Sequence, residues 1–432
     1  MNKFFREITD DYGRLPWSSD KTSYGQCHWG QRKLLYSEIE FLLYCAEHTD
    51  LSECVVLYVG SAPGTHINIL IHLFPMVRWL LYDPRKFDIN KKYIDSGAVE
   101  IHTGDDGFFT DAHIQKVLDN PFTKDKKILF VSDIRYNTDE KQIFEENINQ
   151  QKWLIKLNAF AYILKLRIIY DYKKKFEYDI SDIKDKLDMS ELVVPDNLIG
   201  KFLYLDGHTV TQLYAPIYSG EGRLFGKIGS DNKYKCKYYD YEKYEEHMMY
   251  FNEVSRQQKF SYKDSEKVKH HILEFGDTYD NVGEYYLIRK YQKIIKKKYK
   301  FRHIIKALYR INKKMCQLTR ESFVPCTYMS FIKLHKILED NKKNISNNSR
   351  ISKSEKTELL QEDISMQKII LKAGLARYNV IKSDLEMQKN KWFPEGDILK
   401  KSTYNKQIIK ATSLISEVDK IIDRIQKLIK YL

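Results

Sequence analysis

The chain has 432 residues and carries 72 Lys and Arg against 59 Asp and Glu, a net charge of +13. That length accommodates a large core and two or three domains. No run of about 18 apolar residues occurs, so no membrane span is expected, and the acidic stretch from Met1 to Asp11 lacks the hydrophobic centre of a signal peptide. The 6 cysteines (Cys27, Cys45, Cys54, Cys236, Cys316, Cys326) include no CxxC pair, which argues against a zinc ribbon or a thioredoxin-like motif. They read as reduced residues of a cytoplasmic or nuclear protein. Charge is concentrated: Lys290 to Lys343 holds 16 Lys/Arg and 3 Asp/Glu, leaving 56 against 56 elsewhere. Such a block suits a polyanion such as RNA or DNA, although a solvated helical face is the commoner use of lysine runs.

Residues 1–32 mix acids, aromatics and turn formers and read as an irregular arm. From Arg32 to His48 the apolar residues Leu34, Leu35, Ile39, Leu42, Leu43 and Ala46 recur at helical spacing. Val55 to Val59 then forms a β-branched and aromatic run that breaks into Gly60-Ser61-Ala62-Pro63-Gly64-Thr65-His66, with a helix-compatible segment behind it. Strand, tight turn and helix open a doubly wound nucleotide-binding sheet, and Gly60 and Gly64 let backbone approach a ligand where a side chain would collide. An ordinary βα turn accounts for the loop equally simply.

Strands are expected at Cys54–Val59, Val77–Tyr82, Ala98–His102, Lys127–Ser132 and Ala159–Leu166, and helices at Thr65–Phe74, Ala112–Leu118 and Lys141–Leu157. This alternation predicts an α/β fold, a mostly parallel sheet with helices on both faces and ligands beyond the carboxyl ends of the strands. Those ends are polar. The second strand ends in Asp83 and Arg85, the third in Gly104-Asp105-Asp106, the fourth in Ser132-Asp133-Ile134-Arg135. The acid Asp83, roughly 20 residues past the glycine loop, suits ribose hydroxyls. Lys165 sits inside an apolar strand, which costs desolvation energy unless it is partnered or functional. On periodicity alone it is a strand-end lysine whose head reaches water.

Residues 171–200 read as an irregular excursion. Phe202–Leu205, Val210–Pro216 and Arg223–Ile228 read as antiparallel strands, with Tyr218-Ser219-Gly220-Glu221 between the last two. Residues 237–260 read as helical. The basic block 289–343 carries an apolar stripe at helical spacing, Asn344 to Arg350 is a linker, and Ser354–Lys389 with Tyr404–Leu432 predict an amphipathic hairpin. The expected division is an arm (1–32), a sheet domain (33–288), a basic helical segment (289–343) and a helical hairpin (344–432), the last two forming an all-α basic extension.

Several of these pieces occur in one order: Gly30-Gln31-Arg32-Lys33-Leu34-Leu35, the Gly60 to His66 loop, Trp79 to Arg85, Val131 to Arg135, Lys165, and Ala215-Pro216-x-Tyr218-Ser219-x-Glu221-x-Arg223-Leu224. Together they resemble the poxvirus cap-specific mRNA 2′-O-methyltransferases, which double as the processivity subunit of the viral poly(A) polymerase. The resemblance covers residues 20–260. It implies a Rossmann-like S-adenosylmethionine-dependent methyltransferase sheet and a Lys-Asp-Lys-Glu tetrad at Lys33, Asp133, Lys165 and Glu221. Methyl transfer is an in-line displacement for which the ribose 2′-hydroxyl must lose a proton. A free lysine, with a pKa of about 10.4, is a poor base; Lys165 serves if a second ammonium, Lys33, and desolvation lower that value. Asp133 and Glu221 orient the two amines, and alignment supplies much of the rate. No metal is required.

By the same resemblance Gln31, Tyr58, Gly60, Pro63, Gly64, Asp83, Arg85 and Asp133 line the cofactor, with Asp105 or Asp106 at the adenine. A dinucleotide is the rival ligand, but Ser-Ala-Pro-Gly fits GxGxxG poorly. The cationic methylguanine of the cap stacks between aromatic rings, for which Tyr218 and Tyr170 are the matches and Tyr172 the alternative to Tyr170. Asp171 and Glu245 read the guanine edge, and His28 with Trp29 occupies the place of another family aromatic. The expected partners are capped mRNA and a poly(A) polymerase catalytic subunit, with no membrane, in the cytoplasmic factory or virion of a large DNA virus. The rivals are a non-catalytic RNA-binding processivity subunit and a methyltransferase acting on another RNA, such as rRNA.

Overall fold

The computed structural model describes residues 6–17, 30–135, 139–168, 177–216, 219–256 and 279–295, with isolated positions 357, 416, 419, 423 and 426 beyond them. The basic segment past residue 295 and the C-terminal hairpin lie outside the described residues. The chain divides into two compact units, residues 1–258 with 286–311 and residues 259–285 with 312–432; the first holds the sheet.

Helix α1 spans Gly30–Ala46, and strand β1, Cys54–Val59, is buried along its whole length. Helix α2 (Ile67–Leu73) leads to β2 (Arg78–Tyr82), a short α3 (Lys91–Asp95) to β3 (Val99–His102), α4 (Ala112–Leu118) to β4 (Lys127–Ser132), and α5 (Glu140–Lys156) to β5 (Ala161–Arg167). These five strands pair in parallel in the order β3-β2-β1-β4-β5. Near-continuous apolar runs such as Val55-Val56-Leu57-Tyr58-Val59 and Ile128-Leu129-Phe130-Val131 are what a sheet covered on both faces demands. Leu57, Leu80, Phe130, Leu164 and Leu224 share one core cluster.

Two further strands extend the sheet. β8 (His208–Val210) and β9 (Glu221–Lys227) add antiparallel to give β3-β2-β1-β4-β5-β9-β8. A second, three-stranded sheet joins β6 (Leu187–Asp188), β10 (Tyr234–Asp240) and β7 (Lys201–Leu205) in the order β6-β10-β7. Helix α6, Tyr241–Tyr250, follows β10 and is capped by Asp240, whose carboxylate accepts from the Lys243 N–H.

Strands β1 and β4 and helix α4 begin and end where the sequence places them. Two expectations are corrected. The strand read at Val210–Pro216 ends at Val210: the Thr211 N–H turns to the Arg6 carbonyl and Tyr214 takes φ +55°, a left-handed conformation that no strand continues. Residues 237–240, read as helical, belong to β10, where pairing with β7 overrides local helix preference. Over 6–17 the arm is irregular, as expected, and it is anchored. Glu7 bridges to Val210, the Ile8 N–H donates to the Thr209 carbonyl at 2.8 Å, and buried Arg6 pairs with buried Glu40 of α1, so the arm closes the β8 edge. Helix α7, Tyr279–Ile295, carries Tyr291, whose hydroxyl donates to the Leu73 carbonyl at 2.7 Å beneath α2.

Candidate active site

Strand order reverses direction at β1, whose neighbours are β2 on one side and β4 on the other, so the crevice lies beyond the carboxyl ends of β1 and β4. Gly60 leaves β1 there with φ +79°, and an added Cβ would stand 2.8 Å from the Ile134 nitrogen and 2.9 Å from the Asp133 carbonyl carbon. Glycine is required both for the backbone conformation and for this approach. The Asp133 N–H donates to the Val59 carbonyl at 3.0 Å and the Gly60 N–H to the Tyr82 carbonyl at 2.8 Å, which ties the ends of β1, β2 and β4 together.

Four of the residues singled out in the sequence meet at this crevice. Lys165, on β5, has Nζ 3.0 Å from Asp133 Oδ1, 3.3 Å from the Asp133 carbonyl oxygen and 3.8 Å from Glu221 Oε2. Lys33, in the first turn of α1, donates to Glu221 Oε1 at 2.7 Å. The lysine in an apolar strand is therefore not a side chain reaching for water: it is 8% exposed and bracketed by both carboxylates. The Lys165 carbonyl is held in turn by Gln150 Nε2 of α5 at 2.8 Å.

A fifth charge completes the cluster. Buried Arg223 pairs across β5 and β9 with Lys165 and donates through Nη2 to Asp133 Oδ1 at 2.7 Å, 3.6 Å from Glu221 Oε1. Its Nε donates to Gln212 Oε1 at 2.8 Å, and Gln212 Nε2 donates to Glu221 Oε1 at 3.1 Å. The sequence offered one signal for it, a charged residue at a strand position flanked by Gly222 and Leu224. Burial pushes the Asp133 carboxyl up, but Lys165, Arg223 and Lys33 outweigh it and hold the group at about 2. Burial also opposes ionisation of Glu221, and Lys165, Lys33 and Arg223 still hold it well below the usual carboxylate range. Burial disfavours the Arg223 cation, and Asp133 and Glu221 reverse that and raise it above its ordinary value. The result is three cations and two anions packed out of bulk water.

The residues assigned to the cofactor line the same end of the sheet. Asp83 is buried: Oδ2 accepts from the Ala62 N–H at 3.0 Å and Oδ1 from the Arg85 N–H at 2.9 Å, while the Arg85 guanidinium, 69% exposed, folds back over it. Tyr58 is wholly buried, so its ring supports the loop from below, its hydroxyl donating to Glu38 Oε1 at 2.6 Å. Gln31 is half-buried at the start of α1 with Oε1 2.8 Å from His66 Nδ1. Asp106 pairs with His102, whose ring stacks on Tyr82 with centroids 4.2 Å apart. A buried acid below a left-handed glycine turn, with the Asp133 anion alongside, suits a ligand bearing a ribose and a positive centre. Among the described residues no group of three or more His, Cys, Asp or Glu side chains is placed to hold a metal ion.

Of the cap residues, Tyr170, Asp171 and Tyr218 lie outside the described residues, as do Tyr172, His28 and Trp29. Glu245 lies on α6 and lines a narrow pocket with Trp17, Ser219, Gly220, Met248, Met249 and Asn252. Trp17, in the arm between Pro16 and Ser18, is 53% exposed there and went unassigned in the sequence. Burial, with Glu246 and Glu242 nearby, raises the Glu245 carboxyl above its usual value.

Residues 3–319 match the family described as "Poly A polymerase regulatory subunit". The chain belongs to this family. It is also similar to proteins named cap-specific mRNA (nucleoside-2′-O-)-methyltransferase. To that of Myxoma virus (strain Lausanne) it is 28% identical over 264 residues, 59% of this chain and 69% of the relative. To that of Fowlpox virus (strain NVSL) it is 29% identical over 232 residues, 51% of this chain and 65% of the relative. The sequence resemblance thus rests on the family as well as on the motifs, and the family match runs past the sheet into the basic segment.

Proposed function

We propose that this chain is an S-adenosylmethionine-dependent mRNA cap 2′-O-methyltransferase, converting cap 0 to cap 1 at the first transcribed nucleotide. The observation that carries this is the convergence of Lys33, Asp133, Lys165 and Glu221 at the carboxyl ends of β4 and β5, beside the glycine loop. The names of the viral relatives support the substrate class.

S-adenosylmethionine, when bound, supplies a methyl group made electrophilic by its sulfonium. Gln31, Gly60, Pro63, Gly64, Asp83 and Arg85 form its cradle, and the Asp133 anion faces its positive centre. Lys165 takes the proton of the 2′-hydroxyl. Its Nζ is fixed 3.0 Å from Asp133 Oδ1 and 3.8 Å from Glu221 Oε2, and Arg223 is held protonated by both acids. Lys33 and Glu221 keep the second amine in place at 2.7 Å, and the fixed geometry aligns the nucleophile for in-line attack. The methylguanine sits at the Glu245 pocket, stacked on Trp17 with Tyr218 and Tyr170 as the remaining aromatic candidates; Ser219, which adjoins Tyr218 in sequence, lines that pocket.

The family supports a second role as the regulatory partner of a poly(A) polymerase catalytic subunit. The two roles are compatible, and the basic segment suits RNA contact in both. The setting we infer is the cytoplasmic factory or virion of a large DNA virus, consistent with the free buried thiols of Cys45, Cys54 and Cys236. Incubation with labelled S-adenosylmethionine and matched short RNAs tests the assignment. Transfer to the 2′-oxygen of capped RNA alone is expected. Equal transfer to uncapped RNA would assign another RNA as substrate, and tight RNA binding without transfer would leave only the regulatory role.

A further inference from the structure

Strand β5 outruns its neighbour on one side. β4 stops at Ser132, opposite Leu164, and β5 continues through Lys165, Leu166 and Arg167. The carbonyls of these three residues are each bound by a side chain from a helix. Gln150 Nε2 of α5 donates to Lys165 at 2.8 Å, and Asn147 Nδ2 of α5 to Arg167 at 2.9 Å. The Tyr244 hydroxyl of α6 donates to Leu166 at 3.0 Å. That hydroxyl also accepts from the Gly222 N–H of β9 at 3.1 Å, and Gly222 is the register partner of Leu166. One side chain therefore bridges β5 and β9 directly after Lys165 and Glu221, the base and an acid of the cluster.

A hydroxyl donates one bond and accepts others, and this one uses both capacities. The tyrosine ring behind it is buried in the core cluster, where packing leaves few rotamers open to it. Gly222 permits the bridge: a Cβ there would stand 2.9 Å from the hydroxyl oxygen and 3.2 Å from the Val210 carbonyl oxygen. Leu166 and Gly222 are both buried, where an unmade hydrogen bond carries the full desolvation penalty. The next residue on α6 is Glu245, which with Met248 and Met249 lines the pocket assigned to the methylguanine. Helix α6 thus meets the strand ends of the tetrad at one residue and that pocket at the next.

We propose that Tyr244 is a positioning residue for methyl transfer. Its hydroxyl sets the spacing of Leu166 and Gly222, and so of Lys165 and Glu221, whose Nζ and Oε2 stand 3.8 Å apart. It ties that spacing to the helix that walls the cap pocket, so the aligned base and the bound methylguanine share one support. This rests on the methyltransferase reading with Lys165 as base.

The test uses the full chain as wild type, Tyr244→Phe, Gly222→Ala and the double variant. Tyr244→Phe keeps the ring and removes the bridge; Gly222→Ala keeps the hydroxyl and presses on it, so each reports if the other folds poorly. Single-turnover transfer from S-adenosylmethionine to capped RNA is measured with both saturating, per site that binds S-adenosylhomocysteine. Small misplacement of a reacting group is costly, so each single variant should lose about 10- to 100-fold in rate. Calorimetry should place the dissociation constants of S-adenosylhomocysteine and of a methylated cap analogue within about threefold of wild type. In the double variant the added methyl meets no hydroxyl, so the second substitution should cost no more than about twofold beyond the first. A wild-type rate in Tyr244→Phe would overturn the proposal. So would losses that multiply in the double variant, or binding of both probes that weakens in step with the rate, the mark of general structural support. Transfer retained by Lys165→Ala would refute the base reading; transfer retained by Tyr244→Phe while Lys165→Ala is inactive would refute this proposal alone. A wild type that methylates no RNA would sink the enzymatic reading, and this proposal with it.

Discussion

Lys165 and Arg223 are register partners on adjacent antiparallel strands, and both reach the same oxygen, Asp133 Oδ1, at 3.0 and 2.7 Å. Side chains directly opposite across two strands point to the same face. The pairing of β5 with β9 therefore delivers two cations to one carboxylate, and the β9 start delivers Glu221 to the same place. Like charges side by side persist only because both acids are ionised between them.

Removal of Arg223 exposes that dependence. Arg223→Leu leaves Asp133 and Glu221 short of a counter-charge in a buried site, and breaking such a pair costs about 3–5 kcal/mol. Urea unfolding of the variant against wild type measures it. The sign with pH follows from Asp133, whose carboxyl is lowered from 3.8 to about 2. Its contribution to stability is complete above the unfolded value and is lost as pH falls through the folded one. In the variant that loss begins at higher pH, so the two unfolding midpoints separate most at neutral pH and converge in acid.

Lys165→Ala removes the proposed proton acceptor and leaves the proposed cofactor cradle at β1 and β2 untouched. Transfer to capped RNA is abolished, while the affinity for S-adenosylhomocysteine changes by less than about threefold. Single-turnover assays with calorimetry separate the two quantities. Preserved turnover would refute the base assignment.

The parallel half of the sheet was legible because β1, β4 and β5 are buried along nearly their whole length and each strand ends in a turn former or a charge. Lys165 was ambiguous for a physical reason: a single lysine in an apolar run looks alike whether its head finds water or two acids, and only partners from β4 and β9 decide. Arg223 was ambiguous for the same reason: a charge between Gly222 and Leu224 does not show which acids it meets. Trp17 was missed because its neighbours come from α6 and the turn before β9, far away in sequence. The over-long strand to Pro216 and the helical reading of 237–240 failed where pairing with distant segments, residues 6–8 and β7, overruled local preference.

Gly60→Ala is expected to damage both binding and turnover. The residue sits at φ +79°, and the new methyl would press on the backbone at Asp133 and Ile134. Left-handed strain in a non-glycine residue costs on the order of 1–3 kcal/mol, before any displacement of Asp133. Gly104→Ala is the control: its φ is +63° but nothing lies within 4 Å of the added Cβ, so only the backbone cost remains. Calorimetry should show cofactor affinity falling in Gly60→Ala and holding in Gly104→Ala, with both less stable than wild type.

Cap recognition should depend on pH through Glu245. Its carboxyl is raised by burial and by Glu246 and Glu242. A guanine edge presents donors, so binding needs the ionised acid. As pH falls, the raised value means that protonation sets in earlier than for an ordinary glutamate, and cap affinity drops with it. For stability the sign is opposite: burial disfavours the charged form, so this carboxyl contributes most below its unfolded value and less as pH rises. Titration of Trp17 fluorescence with a methylated cap analogue across the weakly acidic range reads the binding directly. Glu245→Gln should bind more weakly at neutral pH and lose the acid limb. Trp17→Ala should weaken the analogue by about 1–3 kcal/mol, the usual worth of one stacked base, with the acid limb kept, read then by competition with capped RNA. An acid limb that survives Glu245→Gln unchanged would assign the guanine edge to another acid.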